Sequence, residues 1–125
     1  MPEGRERRYL RYIRDSIHRA ERYAPGTLGE FRANPLAQDA ISWRLQTIAD
    51  AARSHLSEEL KRRHPDIPWR AIYGFRNIAA HGYADLQLER VWEIVAQYLR
   101  PLKAVVEIEL SSRSKPVRRR PTPPT

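Results

Sequence analysis

The chain has 125 residues, no cysteine and a formal net charge of +8, a size that suits one domain. The missing cysteines exclude disulfides and thiolate metal sites, and no apolar run approaches the roughly 18 residues that a membrane span needs. The N-terminus is charged and carries no apolar signal segment, so we expect a soluble, cytoplasmic protein with no membrane partner.

Four helices are predicted from the spacing of apolar residues. The first runs from about Glu3 to Tyr23, where apolar side chains at steps of four and three form one stripe and arginines cover the other face. Pro25-Gly26 then breaks it. The second helix begins at Asn34-Pro35, with Asn34 as its cap, and continues to about Arg62. We expect this helix to be the longest and to form the spine of the core.

The third and fourth helices are separated by a glycine. The third follows the turn His64–Trp69, whose two prolines disfavour helix in the residues before them. Pro68 lies in its first turn, and Gly82 is a natural residue just past its end. The fourth follows over residues 85–106, with a kink or a new turn at Pro101.

The fold class is predicted to be all-α, an antiparallel bundle with short connections over residues 1–110. No stretch alternates apolar and polar residues over a strand length. Trp43 lies off the main apolar stripe and is expected to cover a second contact surface. Residues 111–125 are predicted to be a disordered tail rich in Ser, Pro and Arg. The tail holds five cations and no acid, which leaves +3 for the rest of the chain. It either adds phosphate attraction or is a dispensable end.

The segment Arg76–Tyr83 places a permanent cation, an imidazole and a phenol within eight residues. Arginine holds phosphate oxygens through a planar fork of donors, and histidine moves protons near neutral pH. Arg76 and His81 are five residues apart, so on a continuous helix their side chains would diverge by about 140°. They can act together if the helix ends at Gly82, if a two-fold dimer brings two sets to one cleft, or through both effects.

A purely structural interpretation of this segment stays open. His81 would then complement the dipole at a helix C-terminus, Arg76 would pair with Asp66 or Asp85, and Tyr83 would be an aromatic plug. Neither a metal nor a cofactor is expected, because phosphate-binding glycine motifs are absent and no metal-ligand spacing connects the other histidines, His18, His55 and His64.

Several blocks of the sequence resemble HepT toxins, small HEPN-domain proteins encoded beside a minimal nucleotidyltransferase antitoxin, MntA. The blocks are Pro65–Arg70, Arg76-Asn77 with His81-Gly82-Tyr83, and Val91–Ile94, with further agreement at Gln38–Ile41 and Leu45–Ala52. The resemblance extends from Tyr9 to Val106 and omits the tail. Many relatives carry Ile-Gly-Glu-Ala where this chain has Ile48-Ala49-Asp50-Ala51, and Asp50 is assigned no firm role.

The resemblance implies a HEPN-like bundle of four to five helices that forms a homodimer, with Arg76 and His81 of both protomers in one cleft. It implies a metal-independent endoribonuclease, the toxin of a type VII toxin–antitoxin system, acting on RNA. Asn77 would support the phosphate or His81, and Tyr83 would accept AMP from the MntA-like antitoxin. Two alternatives stay open: a non-catalytic helical partner or substrate-binding subunit of a nucleotidyltransferase, and a nucleic-acid-binding protein driven by its basic tail.

Overall fold

The computed structural model describes residues 2–80 and 85–114, with side chains for residues 4–77 and 88–111. These two ranges hold helices and no strand, so the predicted all-α class is confirmed. The helical segments are α1 (Pro2–Tyr23), α2 (Leu28–Arg32), α3 (Pro35–His55), α4 (Glu58–Arg63), α5 (Trp69–Tyr73), α6 (Phe75–Ala80), α7 (Asp85–Gln97) and α8 (Leu99–Ser114). Within the same ranges, no helix combines the length and the apolarity needed to cross a membrane.

The predicted second helix is too long, because the chain leaves the helical conformation at Leu56. The backbone there is extended, with φ −100° and ψ 137°. Ser57 then caps α4, its side chain accepting the Leu60 N–H at 3.1 Å. Its own N–H donates to the buried Glu6 carboxylate on α1 at 2.6 Å. The expectation that α3 is the longest helix is therefore wrong by one residue, since α1 has 22 residues and α3 has 21.

The predicted third and fourth helices are each interrupted once. Gly74 separates α5 from α6 but keeps backbone angles of the right-handed helical region, φ −70° and ψ −14°. Tyr98 separates α7 from α8. Pro101 has no N–H to donate to the carbonyl of Gln97, which explains why the interruption falls there. The predicted tail boundary at Ser111 lies inside α8, which runs on to Ser114, and residues 115–125 lie outside the described part.

The short helix α2 was not predicted, although its signal is in the sequence. Thr27 and Glu30 form a capping box: the Thr27 hydroxyl accepts the Glu30 N–H at 3.1 Å, and the Glu30 carboxylate accepts the Thr27 N–H at 3.1 Å. The helix carries Phe31 into the core, where its ring lies 5.5 Å from that of Trp92 on α7.

The helix α3 packs against α1, α2, α5 and α6, in line with its expected place at the spine of the core, and α1 packs antiparallel to α3 and to α8. The inner stripe of α1 is fully buried and consists of Leu10, Ile13, Ile17 and Ala20. The start of α1 meets the end of α8 through Arg7 and the Leu110 carbonyl at 2.9 Å, while Lys103 reaches Glu21 at 3.4 Å near the other end. The start of α1 also meets the end of α3, where the Tyr9 ring stacks on His55 at 3.7 Å. The helix α3 in turn packs against α5 and against α6, and α6 carries Arg76 and Asn77 of the candidate site.

Candidate functional site

Arg76 lies on α6, directly after the residue that anchors this helix in the core. Phe75 is fully buried and its ring stacks on Tyr98 at a centroid distance of 5.9 Å, which fixes the start of α6 against the α7–α8 junction. The next residue along a helix is rotated by about 100°, so burial of Phe75 directs Arg76 outwards. Its side chain is 64% exposed, as a residue that binds a ligand from solvent must be.

Asp50 on α3 holds the Arg76 guanidinium in place. Arg76 Nη1 donates to Asp50 Oδ1 at 3.1 Å, and the carboxylate is itself 55% exposed. The small buried side chains of Ala49 and Ala52 flank Asp50 on α3 and keep that helix narrow where α6 packs against it. The partner that the structure shows is thus not Asp66, one of the two candidates considered from the sequence, and the side chain of the other, Asp85, lies outside the described ones. Asp50 is the residue that sequence reasoning left without a role, and its departure from the family pattern at this position was the available signal.

The pairing with Asp50 orients the Arg76 guanidinium and leaves it able to bind an anion. An ion pair this exposed contributes about 0–1 kcal/mol, so a phosphate oxygen can compete with the carboxylate for the guanidinium. A guanidinium has five N–H donors, and Asp50 accepts one of them in this structure. The arrangement therefore presents a pre-oriented, solvent-facing anion-binding group.

The remaining predicted site residues divide into two groups. Asn77 follows Arg76 on α6, is exposed, and takes part in an interaction of its own. His81 and Tyr83 lie outside the described residues, as does Gly82. The structure thus brings Arg76 and Asp50 together and describes α6 up to Ala80, one residue before His81.

Two of the other three histidines contact side chains of neighbouring helices, and the third is exposed to solvent. His18 is exposed on α1, and His55 stacks on Tyr9. His64 Nε2 lies 2.6 Å from Glu109 Oε2, and the same buried carboxylate receives Arg63 Nη2 at 2.8 Å. Burial opposes ionisation of this carboxyl, but the hydrogen bonds from Arg63 and then His64 outweigh it, so the pKa of Glu109 lies below its ordinary value. This cluster ties the end of α4 to α8, and the Glu109 carboxylate in it stays charged at neutral pH.

The described acids and histidines do not form a metal site. In residues 4–77 and 88–111, no three His, Asp or Glu side chains converge as a metal ion requires. The Glu109 cluster has one carboxylate and one imidazole, and its third member is the Arg63 cation, which would repel a metal ion.

Comparison with known proteins gives a consistent set of relatives. A family model described as "Ribonuclease HepT-like" matches residues 13–108. The chain is 30% identical over 79 residues to "Putative RNase MJ1380" of Methanocaldococcus jannaschii, covering 63% of this chain and 72% of that protein. It is 28% identical over 100 residues to "Probable ribonuclease HepT" of Thermococcus cleftensis, covering 79% of this chain and 90% of that protein. No solved structure matches at a significant level.

Proposed function

The chain belongs to the HepT-like ribonuclease family, and we propose that it is a metal-independent endoribonuclease, the toxin of a type VII toxin–antitoxin pair. The exposed Arg76 guanidinium, oriented by Asp50 at the start of the helix that leads to His81, is the observation that carries this proposal. The relatives named as ribonucleases support RNA as the substrate.

The proposed chemistry uses the nucleophile that RNA itself carries. One His81 removes the proton of the 2′-hydroxyl, whose oxygen attacks the adjacent phosphorus. The bond from phosphorus to the 5′-oxygen breaks, and a second His81 donates a proton to that oxygen. Arg76 stabilises the negative charge that accumulates on the phosphate oxygens, while Asn77 supports the phosphate or the imidazole. The products are a 2′,3′-cyclic phosphate and a 5′-hydroxyl.

Analysis of the product ends tests this mechanism directly. Purified protein is incubated with RNA in EDTA, and the new ends are identified by mass spectrometry. We expect cyclic phosphate and 5′-hydroxyl ends at an undiminished rate, because no step requires a metal ion. Ends carrying a 5′-phosphate, or loss of cleavage in EDTA that Mg²⁺ restores, would contradict the mechanism.

A homodimer supplies the second histidine, and the exposed face of α3 supports it. Leu36, Trp43 and Asp50 are spaced by seven residues, so they form one stripe along α3. Leu36 and Trp43 are large apolar side chains in contact with solvent, 80% and 59% exposed. The stripe leads to Asp50 and hence to Arg76. A second copy packed on this stripe about a two-fold axis would bring two Arg76 groups towards one cleft.

Replacing Trp43 tests the dimer. We expect Trp43→Glu to weaken dimerisation by at least roughly 30-fold, corresponding to about 2 kcal/mol for a buried aromatic anchor, and to lower cleavage in proportion to the lost dimer. Sedimentation velocity and a cleavage assay measure the two effects. Ile108→Glu is the matched control, since Ile108 on α8 is 54% exposed. A Trp43→Glu protein that stays dimeric, or a wild-type protein that cleaves as a monomer, would overturn this interface.

The antitoxin in this proposal is an MntA-like nucleotidyltransferase that transfers AMP from ATP to the Tyr83 hydroxyl. The phenol oxygen attacks the α-phosphorus of ATP, pyrophosphate leaves, and the phenol proton is released. The added phosphate is negative and the nucleoside is bulky. Because Tyr83 is two residues from His81, the added AMP would repel RNA and obstruct its access to the cleavage site. It would thereby inhibit the toxin without any change of fold.

A further inference from the structure

The outer face of α1 carries an unusual arrangement of charge. We call it the arginine strip; its residues are Arg5, Arg8, Arg11, Arg19 and Arg22, with Tyr12 and Tyr23 among them. All seven side chains are exposed, because the opposite side of the same helix forms the fully buried inner stripe. With a rise of 1.5 Å per residue, the strip from Arg5 to Tyr23 is about 27 Å long.

The acidic residues of α1 neutralise little of this face: Asp15 lies on it, four residues from Arg11 and from Arg19, but it is one acid among five arginines. Glu6 is buried and accepts the Ser57 N–H, and Glu21 is half-buried and receives Lys103. Among the described side chains of α1, Asp15 is the one exposed acid, and its contact is to Arg14 at 3.7 Å. In the part of the chain that the structure describes, no arginine of the strip takes part in an ion pair.

The strip places like charges next to one another along α1. Arg5 and Arg8, Arg8 and Arg11, and Arg19 and Arg22 are like charges three residues apart, and such pairs repel each other on a helix. A solvated helix face usually mixes both signs, because opposite charges at this spacing stabilise it. The strip is therefore suited to an extended polyanion, which relieves the repulsion by neutralising several arginines at once.

The position of the strip relative to the candidate site follows from α3, which packs against α1 and also carries Asp50, the partner of Arg76. His55 of α3 stacks on Tyr9, and Asp50, which holds Arg76, lies five residues earlier, about 7.5 Å along the helix axis. Because α1 and α3 are antiparallel, the middle of α1 is level with Arg76 on the other side of α3. The strip extends beyond that level in both directions, with Arg8 towards one end and Arg19 towards the other.

We propose that the arginine strip is an RNA-binding surface that holds the backbone of the substrate away from the cleavage site. The arginines contact successive phosphates, and Tyr12 and Tyr23 offer exposed rings on which unpaired bases stack. The identity of the polyanion rests on the proposed ribonuclease function. An anionic membrane fits less well, because a helix that binds lipid turns its apolar face to the bilayer and that of α1 is buried in the core.

The binding experiment uses the full chain and an RNA that cannot be cleaved. The probe is a 24-nucleotide, fluorescein-labelled single strand with 2′-O-methyl riboses, which lacks the attacking hydroxyl. Its affinity is measured by fluorescence anisotropy between 0.05 and 0.3 M salt for the wild type, for Arg8→Ala/Arg19→Ala, and for Arg62→Ala/Arg100→Ala. The last pair is the matched control, since it removes two exposed arginines from other helices. Circular dichroism establishes that all three proteins are folded.

We expect the strip variant to bind at least about tenfold more weakly at 0.1 M salt, and the slope of log K against log salt to fall by roughly 1.4. The control variant should stay within about twofold of the wild type. Equal losses in both variants, or none in either, overturn the proposal. Tighter binding to vesicles containing phosphatidylserine, lost in the strip variant alone, would also overturn it.

Cleavage of ordinary RNA is measured in parallel, so that the two proposals fail separately. If the strip binds RNA but the protein does not cleave it, only the ribonuclease function is refuted. If the protein cleaves RNA but its binding does not depend on the strip, only the RNA-binding strip is refuted.

Discussion

Replacing His81 with alanine is expected to reduce RNA cleavage by about 10²–10⁴-fold, the range for loss of a general acid or base. Arg76→Ala should cost about 10²–10³-fold, because the charge on the transferring phosphate loses its fixed donor. Initial rates on a labelled RNA measure both effects. The double variant should be little worse than His81→Ala alone, since residues that act in one step are not additive. In cells, both substitutions should abolish growth arrest.

Two controls separate catalysis from folding in this experiment. Arg76→Lys keeps the charge but loses the planar fork, so we expect an intermediate rate. Arg62→Ala removes an exposed arginine of α4 and should leave the rate unchanged. Arg76 and Asp50 are both largely exposed, so the Arg76 variants should unfold within about 0.5 kcal/mol of the wild type. A His81→Ala protein that still arrests growth would exclude the ribonuclease function and favour the non-catalytic partner subunit.

Replacing Tyr83 with phenylalanine is expected to make the chain resistant to its antitoxin. The substitution removes one oxygen, the proposed acceptor of AMP, and keeps the ring. Co-expression with the neighbouring nucleotidyltransferase should therefore rescue growth for the wild type and fail for Tyr83→Phe. Intact-protein mass spectrometry should show one added AMP on the wild-type chain and none on the variant.

The exposed tyrosines of α1 provide matched controls for the modification. Tyr12→Phe and Tyr23→Phe each remove a solvent-facing phenol, and both proteins should still be modified and neutralised. Tyr83→Phe should retain the cleavage rate of the unmodified wild type to within a few-fold, because the phenol has no part in the proposed reaction. AMP found on another residue, or neutralisation of Tyr83→Phe by binding alone, would show that the antitoxin acts differently.

Local sequence signals were sufficient to predict α1 and the start of α3. The apolar stripe of α1 and the Asn34 cap of α3 were predicted from spacing and residue type, and Asn34 accepts the Ala37 N–H at 3.0 Å as its type suggests. The capping box of Thr27 and Glu30 is an equally local signal, but a helix of five residues is too short to show an apolar periodicity. The segment from Arg76 to Tyr83 was singled out by residue chemistry alone, and its catalytic role stays a prediction.

The all-α class can be predicted from the sequence alone, since helical periodicity and capping depend on residues within a few positions of one another. Contacts between helices set where the long helix ends and what holds Arg76. The break after His55 is stabilised by Glu6, which accepts the Ser57 N–H from 51 residues away, and Arg76 is oriented by Asp50, 26 residues away. Such contacts depend on how helices pack against each other. Periodicity within one helix carries no information about which charged side chain a neighbouring helix will bring.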